Sequence, residues 1–429
     1  MTASAPRDND ISVPALNVKT TAIADLGPLA PMLQPGNPLV WMRRGFGLVG
    51  YGEVLRMEFH GTNRMREAAN YWQRVVAAAT VTDELRQTGT GLLAFGAFTF
   101  ADTSATSSVL IVPSIIIGRD LGASWITQVS VGALASAEPP AGVLPENALP
   151  TAVPFGSEFQ VDLQPGSVSA AHYRDLVATA VRRIRDGRLS KAVLARELLG
   201  WLPPGADIRR TIATLAVGYP DCWTFAVDGF IGSSPETLIS VKAGAVTARV
   251  LAGSAARGLN AASDEEAAIA LAASAKDQDE HRFAVQDVLA SLRPHSPCVL
   301  ASEIPFTLKL PNLWHLASDL EGRLTDGSTS LDLIDSLHPT AAVAGTPTNA
   351  ALDLIAELEP FDRGRYAGPV GWVGADGDGE WAVALRSAQL LPGGQITAYA
   401  GAGIVAESVP EWELLETRMK FRPIVEALA

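Results

Sequence analysis

Cysteine is nearly missing from this 429-residue sequence: Cys222 and Cys298 are the only two. Two are too few for a disulfide framework or a cysteine-rich metal site, so both read as small buried hydrophobes in a reducing compartment. Long apolar runs are missing too. The most apolar stretch, Val109 to Ile117, is interrupted by Pro113 and falls far short of the roughly 20 residues a helix needs to cross a bilayer. No membrane span is expected. The start of the chain has no apolar signal-peptide core; Asp8 and Asp10 stand there among small residues, and residues 1–30 are expected to form a disordered tail. A cytoplasmic protein fits these absences. Positive charge is also short, with Lys+Arg 33 against Asp+Glu 46 and a net charge of −13. That excludes a broad basic surface for nucleic acid or anionic lipid, so an anionic substrate needs a local pocket of positive charge. There is no repeat of fixed period, no Gly-x-Ser-x-Gly elbow and no pair of histidines one helical turn apart for zinc.

What is present is ample for a large core: 48% of residues are hydrophobic and 18% charged. Strands are expected at 46–59, 91–100 and 108–117, with a helix around 63–87. Residues 136–164, rich in Pro, Gly and Ala, read as a connection. An amphipathic helix follows near 169–186, where His172, Leu176, Ala180 and Ile184 recur about once per turn. Further strands are expected at 191–199, 222–228, 237–241, 245–251, 313–321, 368–373, 380–390 and 395–405. Two short helices carry start signals, Ser263 with Glu266 and Ser274 with Asp277, and a last helix opens at Ser408. Gly377–Gly379 and Gly393-Gly394 read as hairpin turns, which implies a mainly antiparallel α+β fold, not a doubly wound parallel one.

Two motifs mislead. Residues 45–50 match the dinucleotide pattern GxGxxG, but Trp41-Met42-Arg43-Arg44 before it is not an apolar strand and Tyr51-Gly52-Glu53-Val54 after it has strand character. Residues 376–380 superficially suggest a calcium loop but are far shorter than the roughly 12-residue ligand spacing.

The chemistry concentrates near the C-terminus. Alternation along 380–390 places Ala382, Ala384, Arg386 and Ala388 on one face, so one guanidinium stands among methyl groups with room for a carboxylate above it. The next strand offers Tyr399, Gly401 and Gly403 on one face, where glycines permit close approach of a ligand. An interior salt bridge is the plainer reading of that arginine. In the final helix Glu413, Glu416 and Lys420 fall at i, i+3 and i+7 and share a face. Two carboxylates side by side repel unless a cation joins them, and magnesium suits them when a substrate oxygen completes the shell. Glu280 could add a third. Singly, each reads as a solvated surface charge; the combination carries the argument.

Leu337-His338-Pro339-Thr340, the run from Glu359-Pro360-Phe361-Asp362-Arg363-Gly364 into Tyr366-Ala367-Gly368-Pro369-Val370-Gly371-Trp372, and Ala400-Gly401-Ala402-Gly403-Ile404-Val405 make the sequence recognisable. Residues 169–429 resemble the chorismate-binding family of anthranilate, aminodeoxychorismate, salicylate and isochorismate synthases. The resemblance implies a large layered, mainly antiparallel sheet core flanked by helices. It implies that 31–165 is the more variable N-terminal part of the fold and 166–429 the catalytic region. It also implies Mg²⁺ held by Glu280 and Glu416, with Glu413 acting directly or through water. Arg386 and Tyr399 are expected at the substrate carboxylates, with backbone donors at Gly253, Ser254, Gly401 and Gly403. His315 matches the family's ring-facing histidine, with a purely structural histidine equally open.

Four positions bear on the reaction. Lys191 matches the lysine that water-using members employ as general base, and Glu236 in Gly232-Ser233-Ser234-Pro235-Glu236 matches the acid that protonates the departing C4 hydroxyl. Ala252 stands where aminodeoxychorismate synthases can carry a nucleophilic lysine. Ala342, beside Val343, stands where pyruvate-eliminating members usually place a threonine. The resemblance therefore implies water addition at C2 of chorismate with release of isochorismate. Salicylate formation by subsequent pyruvate loss, an ammonia-using relative, and a catalytically silent subunit are the alternatives. With water as nucleophile, no obligatory amidotransferase partner is expected.

Overall fold

The computed structural model describes residues 13–132, 149–311 and 313–429. Its helices are α1 (Arg64–Ala78), α2 (Ala170–Arg185), α3 (Arg209–Gly218), α4 (Ala261–Ala273), α5 (Ala275–Leu292), α6 (Ser330–Leu337), α7 (Thr348–Leu358) and α8 (Pro410–Ala427). Among the described residues the strands form two sheets, of thirteen and ten strands. Across the site-bearing part of the first sheet the order is Lys191–Trp201, Gln395–Ile404, Ser387–Leu390, Phe230–Ser234, Trp223–Val227 and Leu39–Arg43. In the second it is Leu313–Arg323, Ala245–Ala256, Thr237–Lys242, Gly379–Val383, Pro369–Gly374 and Leu93–Ala97. These pairs are antiparallel, whereas Leu16–Ile23 and Thr80–Asp83 run parallel. The α+β, mainly antiparallel architecture is the expected one.

Side chains from both sheets meet in one core. Trp41, Phe225 and Phe230 of the first sheet join Phe95, Trp372 and Trp381 of the second, and the Trp41 indole donates to Glu380 Oε2 across the gap at 3.0 Å. Strand alternation sends Val40, Met42, Ala226, Ala388 and Ala398 to the other face, where α3 and α8 cover them with Ile212, Leu215, Phe421 and Ile424. The first sheet is thus buried on both faces, so its strands are continuously apolar and not alternating.

Several sequence expectations change. Residues 16–23, assigned to the tail, pair with Ala123–Val131 as a sheet strand; residues 1–12 of that tail and 133–148 of the connection lie outside the described residues. The helix expected to reach residue 87 stops at Ala78, and the chain turns into strand at Thr80. Asn260, not Ser263, caps α4, with Ser263 returning the reciprocal bond of the capping box. Ser274 does cap α5. Residues 45–50 form the turn and second strand of a hairpin, which removes the dinucleotide reading. Cys222 is buried, but Cys298 lies exposed in the turn after α5. Most consequentially, 380–390 is not one strand. Gly379–Val383 belongs to the second sheet and Ser387–Leu390 to the first, so the chain crosses between sheets at 384–386.

Candidate active site

Two neighbouring crossovers build the heart of the site. The chain leaves the first sheet after Ser234 and enters the second at Thr237, and it returns between Val383 and Ser387. The two crossings brace each other. Val383 N donates to Glu236 O at 3.1 Å, Ser233 N to Arg386 O at 3.2 Å, and the Ser234 hydroxyl to Val383 O at 2.6 Å. Glu236 and Arg386 are thereby set side by side where the sheets part. Arg386 adopts φ 50°, a left-handed conformation uncommon outside glycine, held here by the surrounding bonds.

Both residues line a cavity of about 340 Å³, within the range of small-molecule sites. Lys191, Gly253, Ser254, His315, Ala342, Val343, Gly401, Gly403, Glu280, Glu413 and Glu416 line it as well. The sequence-selected residues therefore converge, with one exception. Tyr399 is not on the wall; its ring stacks on Tyr366 at 5.3 Å between centroids, and Tyr366 is the tyrosine that faces the cavity.

Each side chain has an identifiable anchor. Lys191 begins the strand Lys191–Trp201, and its Nζ donates to Glu280 Oε1 of α5 at 2.7 Å. Gly403 on the adjacent strand makes room for it, since a Cβ there would lie 3.0 Å from Lys191 Cε. On α8, Lys420 pairs with Glu416 one turn earlier at 2.6 Å and donates to Gly401 O at 3.0 Å. A register shift between Leu251 and Ser254 bulges the strand, with Gly253 at φ 80°, and turns this segment into the cavity. The Ser254 hydroxyl bonds His315 Nδ1 at 2.8 Å. His315 Nε2 is buried with no hydrogen-bond partner among the described residues. His281 bonds Ala252 O and the Ser318 hydroxyl, tying α5 to the bulge.

Electrostatics separate the groups further. Burial pushes the Glu236 carboxyl up to about 7, against the pull of Lys191, Arg386 and Lys420. The same burial, helped by Arg386 and Lys420, pushes His315 down to about 3, so its ring is neutral. Burial also lowers Arg386 from its ordinary value, though an arginine stays charged. The wall thus sets the guanidinium groups of Arg386 and Arg363, the amines of Lys191 and Lys420 and a neutral imidazole around the Glu236 carboxylic acid.

Residues that sequence reasoning left out complete the wall. Arg363, buried, holds Glu359 in a two-bond pair at 2.6 and 2.8 Å and donates to Val193 O and Val343 O. It thereby locks two cavity-lining segments together. Tyr366 and Arg363 both lie in the 359–372 run that made the sequence recognisable, and that was the available signal. Asp277 and Trp412 also line the cavity.

The carboxylates Glu280, Glu413 and Glu416 face the cavity from two helices. Among the described residues no group of three or more His, Cys, Asp or Glu side chains is close enough to hold a metal ion. The donor set is all oxygen, and magnesium is commonly held by only one or two protein carboxylates, with substrate oxygens and waters supplying the rest. The residues fit such a cation in kind and number.

The whole of residues 35–429 matches the family model described as chorismate binding enzyme. A salicylate-biosynthesis isochorismate synthase of Pseudomonas aeruginosa is 32% identical over 415 residues, 91% of this chain and 84% of that protein. The isochorismate synthase DhbC of Bacillus subtilis is 40% identical over 268 residues, 60% of this chain and 67% of that protein. In fold, the chain is similar to the menaquinone-specific isochorismate synthase of Escherichia coli, with a TM-score of 0.75, 24% identity, and 97% and 95% of the two chains covered. With nearly its full length matched in sequence and architecture, this chain belongs to the chorismate-binding enzyme family.

Proposed function

We propose that this protein is an isochorismate synthase that interconverts chorismate and isochorismate, adding water at C2 while the C4 hydroxyl leaves as water. The observation that carries this reading is the buried Glu236 carboxyl, pushed up to about 7 in a cavity shared with Lys191. A carboxyl protonated near neutrality can give its proton to a leaving hydroxyl. Lys191, acting as the neutral amine, takes the proton of the attacking water and becomes the ammonium, so one proton enters the protein as another leaves. The guanidinium of Arg386 and the ammonium of Lys420 attract the carboxylates of the substrate, and Tyr366 adds a phenol beside them. Gly401, Gly403, Gly253 and Ser254 let the ligand lie close to the backbone. Glu280 and Glu416, with Glu413 direct or through water, would hold Mg²⁺, which would supply charge neutralisation for a substrate carboxylate.

Ala342 favours release of isochorismate over elimination of pyruvate, because no hydroxyl at that position reaches the bound intermediate. Water as nucleophile makes an amidotransferase subunit unnecessary. Among the described residues no helix is long and apolar enough to cross a membrane, and we place the reaction in the cytoplasm. The test is incubation of purified protein with chorismate and Mg²⁺ in the absence of any ammonia donor. Isochorismate alone is the expected product. Stoichiometric pyruvate with salicylate supports the salicylate reading, and no turnover without ammonia refutes water as the nucleophile.

A further inference from the structure

Beside the substrate cavity lies a second, much smaller space that shares Glu236 with it. A niche of about 10 Å³ is lined by Glu236, Arg249, Thr340 and Ala342, among others. Glu236 and Ala342 also line the substrate cavity, so the two spaces share these two residues. A single water needs about 10–15 Å³ and two to four polar partners. The Thr340 side chain is one partner: the residue is 5% exposed, and its hydroxyl is buried with no hydrogen-bond partner among the described residues. Glu236, which lines both spaces, is another: burial and the charges of Lys191, Arg386 and Lys420 act on its carboxyl, and among the described residues no hydrogen-bond donor does.

We propose that one water occupies this niche and bridges Thr340 Oγ1 to the Glu236 carboxyl oxygen that faces away from the substrate, which makes Thr340 a positioning residue for the proton transfer. This rests on the reading of Glu236 as the acid. A carboxylic acid carries its proton on one of two oxygens, and only a proton on the oxygen facing the ring can reach the leaving hydroxyl. A water that donates to the far oxygen keeps that oxygen an acceptor and leaves the proton on the near one. As the proton departs, charge develops on the carboxylate, and the same donor stabilises it. Buried polar atoms normally find partners, and this arrangement gives one to Thr340 Oγ1, which otherwise has none among the described residues.

The hydroxyl can be removed with little else disturbed. Thr340 also shapes the turn through its carbonyl, which accepts from Val343 N at 3.1 Å and Ala344 N at 3.0 Å, and those bonds survive in Thr340→Val and Thr340→Ser. Valine keeps the shape and loses the hydroxyl; serine keeps the hydroxyl. The charges that face Glu236 are unchanged in both: Lys191, Arg386 and Lys420 across the cavity and Arg249 at the niche. From α5 only apolar Ala284 and Val288 border the niche.

The primary experiment needs no turnover. The carboxyl infrared band of Glu236, assigned by its loss in Glu236→Gln, is titrated against pH in the full-length protein. In Thr340→Val the midpoint is expected to rise by about half a unit or more, because the carboxylate loses a donor, while Thr340→Ser titrates like the wild type. In turnover, Thr340→Val is expected to lower kcat by on the order of tenfold with KM unchanged, as loss of a transition-state donor does, and Thr340→Ser to restore most of it. An unchanged midpoint in Thr340→Val, or a serine variant that behaves like valine, overturns the proposal. A wild type that does not hydrate chorismate refutes the functional reading instead, and the infrared titration still decides the water.

Discussion

Replacing Glu236 by glutamine separates what the carboxyl does for the reaction from what its burial costs the fold. In the folded protein the group is pushed from its ordinary 4.5 up to about 7 because desolvation disfavours the charged form. The unfolded chain gives up this proton at lower pH than the folded protein does. Between 4.5 and about 7 the native state therefore holds more protons, and stability falls as pH rises through that window. At ~1.4 kcal/mol per unit, the interval corresponds to about 3 kcal/mol lost by pH 8. Glu236→Gln has no proton to hold, so this slope is absent and the variant should exceed the wild type by about 3 kcal/mol at pH 8. Turnover should change in the opposite sense, falling by a factor on the order of 10²–10⁴, the usual contribution of a positioned acid. In the wild type, kcat/KM should decline above pH about 7 as the acid ionises. Denaturant unfolding at pH 5 and pH 8 and chorismate turnover across the same range are the measurements. A glutamine variant that keeps its activity, or whose stability changes with pH as the wild type's does, refutes the assignment of a buried protonated acid.

The other substitutions address the remaining roles. Lys191→Ala is expected to lose hydration by a factor on the order of 10²–10⁴, while high ammonium at alkaline pH yields some 2-amino product, because neutral ammonia attacks with its own lone pair; product analysis should find no such rescue in Glu236→Gln. Ala342→Thr should release some pyruvate where the wild type releases none, read by a coupled pyruvate assay. Glu416→Gln should abolish turnover by weakening a site whose affinity depends on ligand charge, and wild-type activity with unchanged magnesium dependence in that variant contradicts the metal role.

Much of this was legible along the chain, and what was not has a common cause. The strands bearing Lys191 and Gly401–Gly403, the helix bearing Glu413 and Glu416, and the cap of α5 follow from periodicity and hydrogen-bond needs that act within a few residues. The two-face burial of the first sheet erased the alternation that signals a strand, which hides Leu39–Arg43 and Phe230–Ser234. The crossover at 384–386 carries no glycine or proline; Ala384-Leu385-Arg386 reads as uninterrupted strand, and only the exchange of partners between sheets reveals the break.

Tyr399 illustrates the limit of a period-two argument. Alternation correctly groups it with Gly401 and Gly403 on one face, but a face is not a position. Two residues further along a strand is roughly 7 Å, enough to carry the ring past the edge of the cavity to pack against Phe361 and Tyr366. Tyr366 comes from a segment about thirty residues earlier in the chain and fills the place that the strand pattern assigned to Tyr399. The same reasoning accounts for Glu236 and Arg386, which line the cavity because they occupy the points where two strands leave one sheet for the other. A strand interior spends its backbone groups on its neighbours and its side chains on the core. At a crossover the sheets part, and a charged side chain can stay buried there only by facing the space between them. That space is the cavity, so the topology that breaks the sequence pattern is also what concentrates a protonated carboxyl and a guanidinium where an anionic ring can meet both.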